Sequence, residues 1–178
     1  MDKKILFTRQ EIERRVAELG ERISRDFEGK ELLLVGVLKG SFIFCSDLIR
    51  ALTVPAAIDF VRLASYGAQT VSSGAVTITK DIETSIEGKH VIVVDDIVDS
   101  GLSLALLKDI LVKRRPKSLS LCVFIDKRTR RQVELEVDYV GFTIDDGFVV
   151  GYGLDMNERF RELPEICVVD EGKESEPS

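Results

Sequence analysis

The 178-residue chain has little histidine and cysteine and no tryptophan, with one His and three Cys. Because His90 is the single histidine, metal sites built from several imidazoles are excluded. The three cysteines, Cys45, Cys122 and Cys167, are far apart within apolar stretches, which is typical of buried free thiols and indicates a reducing, cytoplasmic compartment. No apolar run approaches the ~18 residues that a membrane span requires, so we expect no membrane contact.

Positive charge is in the minority, since 25 Lys and Arg face 31 Asp and Glu and give a net charge of −6. An acidic chain is a poor general binder of polyanions such as nucleic acids. Any phosphate group must therefore be held locally, by backbone amides, a few placed cations or a metal ion. Residues 170–178 hold four acids against one Lys, and we expect them to form a disordered acidic tail after one domain over residues 1–169.

Helical and strand patterns alternate along the chain. Thr8 and Glu11 form a capping-box pattern ahead of a predicted helix over residues 9–27, and a second helical pattern covers residues 41–52. Apolar runs predict strands at 32–37, 58–63, 91–96, 118–125, 139–144, 148–153 and 165–169. This order predicts an α/β fold with a mostly parallel central sheet flanked by helices. Residues 65–85, rich in Gly, Ser and Thr, predict a long mobile loop with at most a loose hairpin, suited to covering a site.

The stretch VIVVDDIVDSGLSLALLKDIL, which begins at Val91, carries the most chemistry. A buried strand ends in two acids, a turn holds a third acid, and small hydroxyl-bearing residues then begin a helix predicted to end near residue 114. The backbone N–H groups and hydroxyls of such a turn form a cradle for phosphate. The two acids before it suit a sugar diol or Mg²⁺. In the alternative interpretation, Asp99 and Ser100 only cap the helix.

This stretch resembles the phosphoribosyl-pyrophosphate (PRPP) motif of the type I phosphoribosyltransferases. Other segments resemble that family in the order found in hypoxanthine-guanine phosphoribosyltransferases. They are VLKGSFIFCSDL (37–48) for the pyrophosphate loop, Ser65-Tyr66 for the start of the flexible catalytic loop, DKRTRR (126–131) for purine reading, and residues 147–169 for the C-terminal purine-binding region. The resemblance implies a single-domain fold with a small hood, and assembly as a homodimer or homotetramer.

The resemblance implies three groups of PRPP-binding residues. The ribose hydroxyls and a Mg²⁺ are contacted by an acidic pair, Asp95 and Asp96. The 5′-phosphate is held by the turn residues Ser100, Gly101, Leu102 and Ser103. The pyrophosphate is bound by Arg161 and by the loop Leu38, Lys39 and Gly40. The family has a non-proline cis peptide in this loop.

The resemblance also implies a set of residues around the purine. Asp99 is the general base at purine N7, and Lys127 donates to the 6-oxo group. Phe148 stacks on the ring, and Val149 contacts the base edge through its backbone. Asp155 supports a second Mg²⁺ through water. Taken singly, Phe148 is more typical of a core residue, and the basic run that contains Lys127 is more typical of a solvated surface.

The expected reaction belongs to purine salvage and transfers 5-phosphoribosyl from PRPP to N9 of hypoxanthine and/or guanine, giving IMP or GMP and pyrophosphate. One alternative is a regulatory protein that senses PRPP or nucleotides and binds RNA through the basic runs 113–117 and 127–131. The net negative charge disfavours it. Another alternative is an enzyme of the same class acting on adenine, xanthine or orotate. Lys127 disfavours this alternative, because an ammonium suits a 6-oxo acceptor and not a 6-amino donor.

Overall fold

The computed structural model of the chain describes residues 3–65 and 76–169. The predicted tail at 170–178, Tyr66 and half of the predicted loop at 65–85 lie outside these residues. The helices are α1 (Arg9–Asp26), α2 (Phe42–Ala51) and α3 (Leu102–Val112). The strands are β1 (Lys3–Phe7), β2 (Leu32–Leu38), β3 (Ala56–Ser65), β4 (Val76–Lys80), β5 (His90–Val98), β6 (Ser118–Lys127), β7 (Tyr139–Ile144), β8 (Phe148–Val150) and β9 (Ile166–Val169).

A six-stranded sheet in the order β4-β3-β2-β5-β6-β7 forms the centre of the fold. The pairs β3–β2, β2–β5, β5–β6 and β6–β7 are parallel, and β4 pairs with β3 in the antiparallel direction. The predicted α/β class with a mostly parallel sheet is therefore confirmed. The β3–β4 pairing also gives the predicted hairpin at the described ends of the 65–85 segment.

Both faces of the sheet are covered, which explains the continuous apolar runs in the sequence. In β5, Ile92 and Val94 pack into the cluster formed with α1 and α2, whereas Val91 and Val93 pack into the cluster formed with α3. All four side chains are at most 1% exposed. A strand that is buried on both sides has no polar face, so its sequence shows no alternation.

Helix α1 begins as the sequence predicts. The Glu11 N–H donates to Thr8 Oγ1 at 3.3 Å, and the Thr8 N–H donates to Glu11 Oε2 at 2.8 Å, which completes the capping box. Its apolar stripe is buried against the sheet and α2 and comprises Ile12, Val16, Leu19 and Ile23. The helix ends at Asp26, with Phe27 as its C-cap.

A second, three-stranded antiparallel sheet in the order β1-β9-β8 forms the predicted hood. Strand β1 was not predicted, since its sequence KKILF is charged and mostly exposed and it owes its strand geometry to pairing with β9. The predicted strand 148–153 ends at Val150. Gly151 has φ +100°, and a Cβ there would lie 2.0 Å from the Glu165 carbonyl oxygen, so the chain turns at this point.

The three cysteines are free and buried, as predicted. Across residues 3–65 and 76–169, no helix is both long enough and apolar enough to cross a membrane.

Candidate active site

The segments that carry most of the described site residues converge where the direction of the sheet connections reverses. After β2 the chain continues to β3 on one side, and after β5 it continues to β6 on the other side. In open α/β sheets, ligands bind at the carboxyl ends of strands around such a switch point. Gly36 pairs with Val94, and Val98 pairs with Asp126, so the segments that follow β2, β5 and β6 lie at one edge.

Asp95 and Asp96 lie within β5, because the strand continues to Val98 and does not end at the acids as predicted. The Asp96 N–H donates to Asp95 Oδ1 at 2.9 Å, and the Ile97 N–H donates to Asp96 Oδ1 at 3.0 Å. Burial, followed by the charge of Asp96, raises the pKa of Asp95 well above its usual value. Burial also raises the pKa of Asp96. The positive charge of Arg161 offsets only part of this rise in the pKa of Asp96, so the pair suits a further cation or hydroxyl donors.

The loop after β2 is packed directly against this acid pair. The Leu38–Lys39 peptide is cis, as expected from the resemblance. A Cβ on Gly40 would lie 1.8 Å from Asp96 Oδ2, and a Cβ on Gly153 would lie 2.2 Å from the Gly40 carbonyl oxygen. The absence of side chains at these two glycines lets the segments at 38–40, 95–96 and 153 meet.

The turn between β5 and α3 holds the predicted phosphate cradle, Ser100, Gly101, Leu102 and Ser103. Gly101 is the N-cap of α3, with φ +82° and no side-chain capping bond. Ser100 Oγ accepts the Leu102 N–H at 3.4 Å. The capping interpretation of Asp99 is therefore wrong. First-turn N–H groups of a helix lack acceptors within the helix, so those of α3 are available to an anion.

Asp99 is positioned by a basic segment from the end of β6. The Arg130 guanidinium lies 3.4 Å from Asp99 Oδ2, and Arg131 Nε donates to the Asp99 carbonyl oxygen at 3.3 Å. Arg131 also forms an ion pair with the buried Asp126. Asp99 Oδ1 is buried and has no hydrogen-bond partner in the described structure. The sequence pattern did not predict these two arginine contacts. The feature of the sequence that could have indicated them is the basic run at 127–131.

A cavity of about 360 Å³ is connected to Asp99 through Arg130, which lines the cavity and contacts that carboxylate. It is lined by Lys127, Arg130, Asp146, Gly147, Phe148 and Val169. Lys127 is only 5% exposed because β6 extends two residues beyond the predicted end, and Phe148 is 37% exposed. The surface interpretation of Lys127 and the core interpretation of Phe148 are therefore both wrong. Val149 is buried in β8 and directly follows Phe148, which lines the cavity.

A larger cavity of about 630 Å³ lies between α1, α2 and residues 162–164. It contains none of the predicted site residues. Two of its arginines are paired with neighbouring acids, Arg9 with Glu13 and Arg50 with Asp47. We assign the base-binding part of the candidate site to the smaller cavity, because a buried ammonium and an exposed aromatic ring line it and its Arg130 contacts Asp99.

Arg161 and Lys39 are linked through a residue that was not predicted, Glu158. Arg161 Nη1 donates to the Gly153 carbonyl oxygen at 2.7 Å, and its Nη2 lies 3.0 Å from Asp155 Oδ1. Glu158 accepts from Lys39 at 2.9 Å and lies 3.4 Å from Arg161. The hydrogen bond from Lys39 lowers the pKa of Glu158. No sequence pattern marks Glu158, because these contacts join distant segments.

The acids at the site suit a Mg²⁺ ion that takes only a few of its ligands from the protein. Within residues 3–65 and 76–169, no group of three or more His, Cys, Asp or Glu is arranged to hold a metal ion. Mg²⁺ is commonly bound by one or two carboxylates and takes its remaining ligands from water and substrate phosphates. Asp95 and Asp96, whose pKa values burial raises, would provide such a partial site.

The basic runs offered for RNA binding are largely neutralised. In the first run, Arg114 makes two bonds to Asp81 at 2.8 and 2.7 Å, and Arg115 pairs with Glu87 at 2.7 Å. In the second run, Arg131 pairs with Asp126 and Lys127 lines the cavity. These contacts give no support to a continuous RNA-facing patch.

Comparison with known proteins agrees with this site. The family described as "Phosphoribosyl transferase domain" matches residues 3–157, and the chain belongs to that phosphoribosyltransferase family. Two similar relatives are hypoxanthine-guanine phosphoribosyltransferases. The protein of Dictyostelium discoideum is 48% identical over 168 residues, covering 92% of this chain and 93% of that protein. The protein of Aquifex aeolicus is 44% identical over 169 residues, covering 94% and 95%.

A solved structure gives the same result. The hypoxanthine-guanine phosphoribosyltransferase of Bacillus anthracis superposes with a TM-score of 0.91 at 48% identity, covering 95% of this chain and 99% of that one. The predicted family, fold class and enzyme class are confirmed, whereas the RNA-binding alternative finds no support.

Proposed function

We propose that the chain transfers 5-phosphoribosyl from PRPP to N9 of hypoxanthine and/or guanine, forming IMP or GMP and pyrophosphate in purine salvage. The observation that carries this proposal is the cavity lined by Lys127, Phe148 and Arg130, whose Arg130 guanidinium contacts Asp99. An ammonium only donates hydrogen bonds, so the base atom opposite Lys127 must be an acceptor, such as a 6-oxo oxygen. The exposed face of Phe148 is available to stack on the base.

PRPP would lie along the edge of the sheet, between the turn and the loop after β2. The amides and hydroxyls of residues 100–103 would bind its 5′-phosphate at the start of α3. Asp95 and Asp96 would accept from the ribose hydroxyls. The loop Leu38, Lys39 and Gly40 would bind the pyrophosphate together with Arg161, whose Nε is buried and has no partner in the described structure.

Asp95, Asp96 and Asp155 would hold Mg²⁺. When bound, this ion would supply positive charge against the pyrophosphate group as it leaves. The carboxylates provide oxygen ligands, the type that Mg²⁺ prefers, and leave positions for the oxygens of PRPP. Removal of Mg²⁺ by a chelator is therefore expected to abolish nucleotide formation, and addition of Mg²⁺ is expected to restore it.

Asp99 would accept the N7 proton of the purine. Bond formation at N9 makes the ring electron-poor, so the N7–H becomes acidic as the reaction proceeds. Asp99 Oδ1 has no partner of its own in the described structure and is therefore available as the acceptor. Lys39 and Arg161 would meanwhile stabilise negative charge on the leaving pyrophosphate.

The state and location of the enzyme are part of the proposal. Following the family resemblance, the chain is a homodimer or homotetramer in the cytoplasm, where its three buried thiols stay reduced. Light scattering of the purified protein at micromolar concentration tests the assembly, and a monomer mass would contradict it.

Initial rates with PRPP and Mg²⁺ and each of hypoxanthine, guanine, xanthine and adenine test the activity. We expect turnover with hypoxanthine or guanine and none with adenine. Asp99→Asn is expected to lower kcat by about 10²–10⁴-fold. Asp109→Asn removes an exposed acid of α3 and is the matched control, with unchanged kcat. If Asp99→Asn stays within a few-fold of wild type, Asp99 is not the base.

A further inference from the structure

Lys39 and Arg161 come from distant segments and share one counterion, Glu158. Lys39 Nζ lies 2.9 Å from Glu158 Oε2, and Arg161 Nη2 lies 3.4 Å from Glu158 Oε1. Each oxygen of one carboxylate thus engages a different cation. A phosphoryl group offers oxygens of similar spacing and charge to the same two donors, since guanidinium and ammonium groups bind carboxylate and phosphate alike. The Glu158 carboxylate therefore lies where an anionic ligand of Lys39 and Arg161 would bind.

Glu158 is held less firmly than the other acid of this cluster. Asp155 contacts Arg161 at 3.0 Å through Oδ1 and accepts the Glu158 backbone N–H at 2.8 Å through Oδ2, and its side chain is 29% exposed. The Glu158 side chain is 64% exposed, and its contacts within the described chain are the two cations. Two cations face two carboxylates, so an anion that binds Lys39 and Arg161 together competes with these acids for the same donors. Glu158 is the one free to leave.

The backbone at Glu158 adopts a conformation that is unfavourable for a residue with a side chain. Met156 and Arg159 exchange two backbone hydrogen bonds of 3.1 Å around Asn157 and Glu158. The two central residues have φ +52° and +61°, which makes a type I′ turn. Glycine is favoured at the second central position, because a Cβ in the left-handed region is sterically unfavourable. A residue held in such a conformation is typical of a functional segment.

We propose that Glu158 is a tethered competitor for the pyrophosphate group. It occupies the anion position between Lys39 and Arg161 until PRPP displaces it, and it returns as pyrophosphate leaves. The inference rests on the proposed function, since it takes these two cations as the pyrophosphate ligands. A tethered group competes at an effective concentration of about the millimolar range, so it lowers the affinity for pyrophosphate without closing the site.

Glu158→Gln tests the competition, because glutamine keeps the shape and removes the charge. Calorimetric titration with pyrophosphate and Mg²⁺ is expected to give a Kd about two- to five-fold lower than wild type, the range for an exposed ion pair. The KM for PRPP is expected to fall by a similar factor, whereas the KM for hypoxanthine stays unchanged. Glu162→Gln is the matched control, since Glu162 is exposed in the same segment and makes no ion pair with the described residues.

Glu158→Gly separates the charge from the turn. It removes the carboxylate and suits the type I′ geometry, so it is expected to bind pyrophosphate as tightly as Glu158→Gln and to melt no lower than wild type. The competition is refuted if wild type forms nucleotide while Glu158→Gln binds pyrophosphate equally or more weakly, or if Glu162→Gln gives the same gain. A wild-type protein that forms no nucleotide from PRPP instead refutes the proposed function.

Discussion

A methyl group at Gly40 should inactivate the site while leaving the fold intact. A Cβ at this position would lie 1.8, 2.5 and 3.0 Å from Asp96 Oδ2, Cγ and Oδ1, and all three nearest atoms belong to that side chain. Gly40 does not adopt a positive φ, so alanine suits its backbone. The clash in Gly40→Ala can therefore be relieved by rotating the Asp96 carboxylate away.

The size of the effect follows from these distances. An ordinary contact of about 3.4 Å requires Oδ2 to move by about 1.6 Å, and a misplacement of about 1 Å at an active site is worth about 10²-fold in rate. We therefore expect kcat/KM to fall by at least about 10²-fold. Loss of the hydrogen bond from the Ile97 N–H to Asp96 Oδ1 costs about 1 kcal/mol, and Gly→Ala returns about 0.4–1 kcal/mol. The melting temperature should then change by no more than about 2–4 °C.

The assay is a double-mutant cycle with Asp96→Ala, which removes the carboxylate that the methyl group strikes. If Gly40→Ala acts through Asp96, the double variant is no slower than Asp96→Ala alone. Initial rates of nucleotide formation and thermal melts of all four proteins provide the two readouts. Retention of more than a third of wild-type kcat/KM by Gly40→Ala, or losses that multiply in the double variant, would refute the reasoning.

Three further predictions concern charge and stability. Asp95→Asn should stabilise the unliganded protein by about 1 kcal/mol in thermal melts at pH 7. Because the fold raises the pKa of Asp95, ionisation of Asp95 destabilises the wild type increasingly as the pH rises above about 4, and the stabilisation by Asn should vanish below pH 4. Asp59→Asn should lower the free energy of unfolding in urea by about 2 kcal/mol, since Asp59 Oδ2 accepts two backbone N–H groups. Burial raises the pKa of Asp59, but these hydrogen bonds outweigh burial and lower the pKa overall, so the advantage of the wild type should be lost as the pH falls below about 4. Arg131→Ala should cost about 1.5–3 kcal/mol, because it removes one charged partner of the buried Asp126 while Arg128 Nε stays 3.1 Å from Asp126 Oδ2. The double variant with Asp126→Ala should recover part of that loss.

The sequence predicted those parts of the fold that local patterns determine. The capping box at Thr8, the apolar stripe of α1 and the doubly buried run of β5 each depend on residues close together in the chain. Strand β1 was missed because it depends on β9, more than 150 residues away. Lys127 was assigned from the family resemblance, whereas its burial could not be read from a basic run.

In the candidate site, too, the sequence predicted some features and missed those that depend on tertiary contacts. The order of motifs along the chain indicated which residues belong together. The contacts that bring them together, Gly40 with Asp96 and Glu158 with Lys39, are tertiary and have no local signal. The contacts of Arg130 and Glu158 were missed for the same physical reason, since charged loop residues are normally solvated and the nearby sequence does not show their distant partners.

The pairing of β1 with β9 has a consequence for synthesis on the ribosome. Lys3 is bonded in register with Val169, and Val169 also lines the cavity assigned to the purine. At about 5–20 residues per second, roughly ten to thirty seconds separate the translation of these two partners. During that time the central sheet can form around β2 and β5, but the base-binding half of the site cannot. The nascent enzyme should therefore be able to hold a ribose phosphate before it can hold a purine.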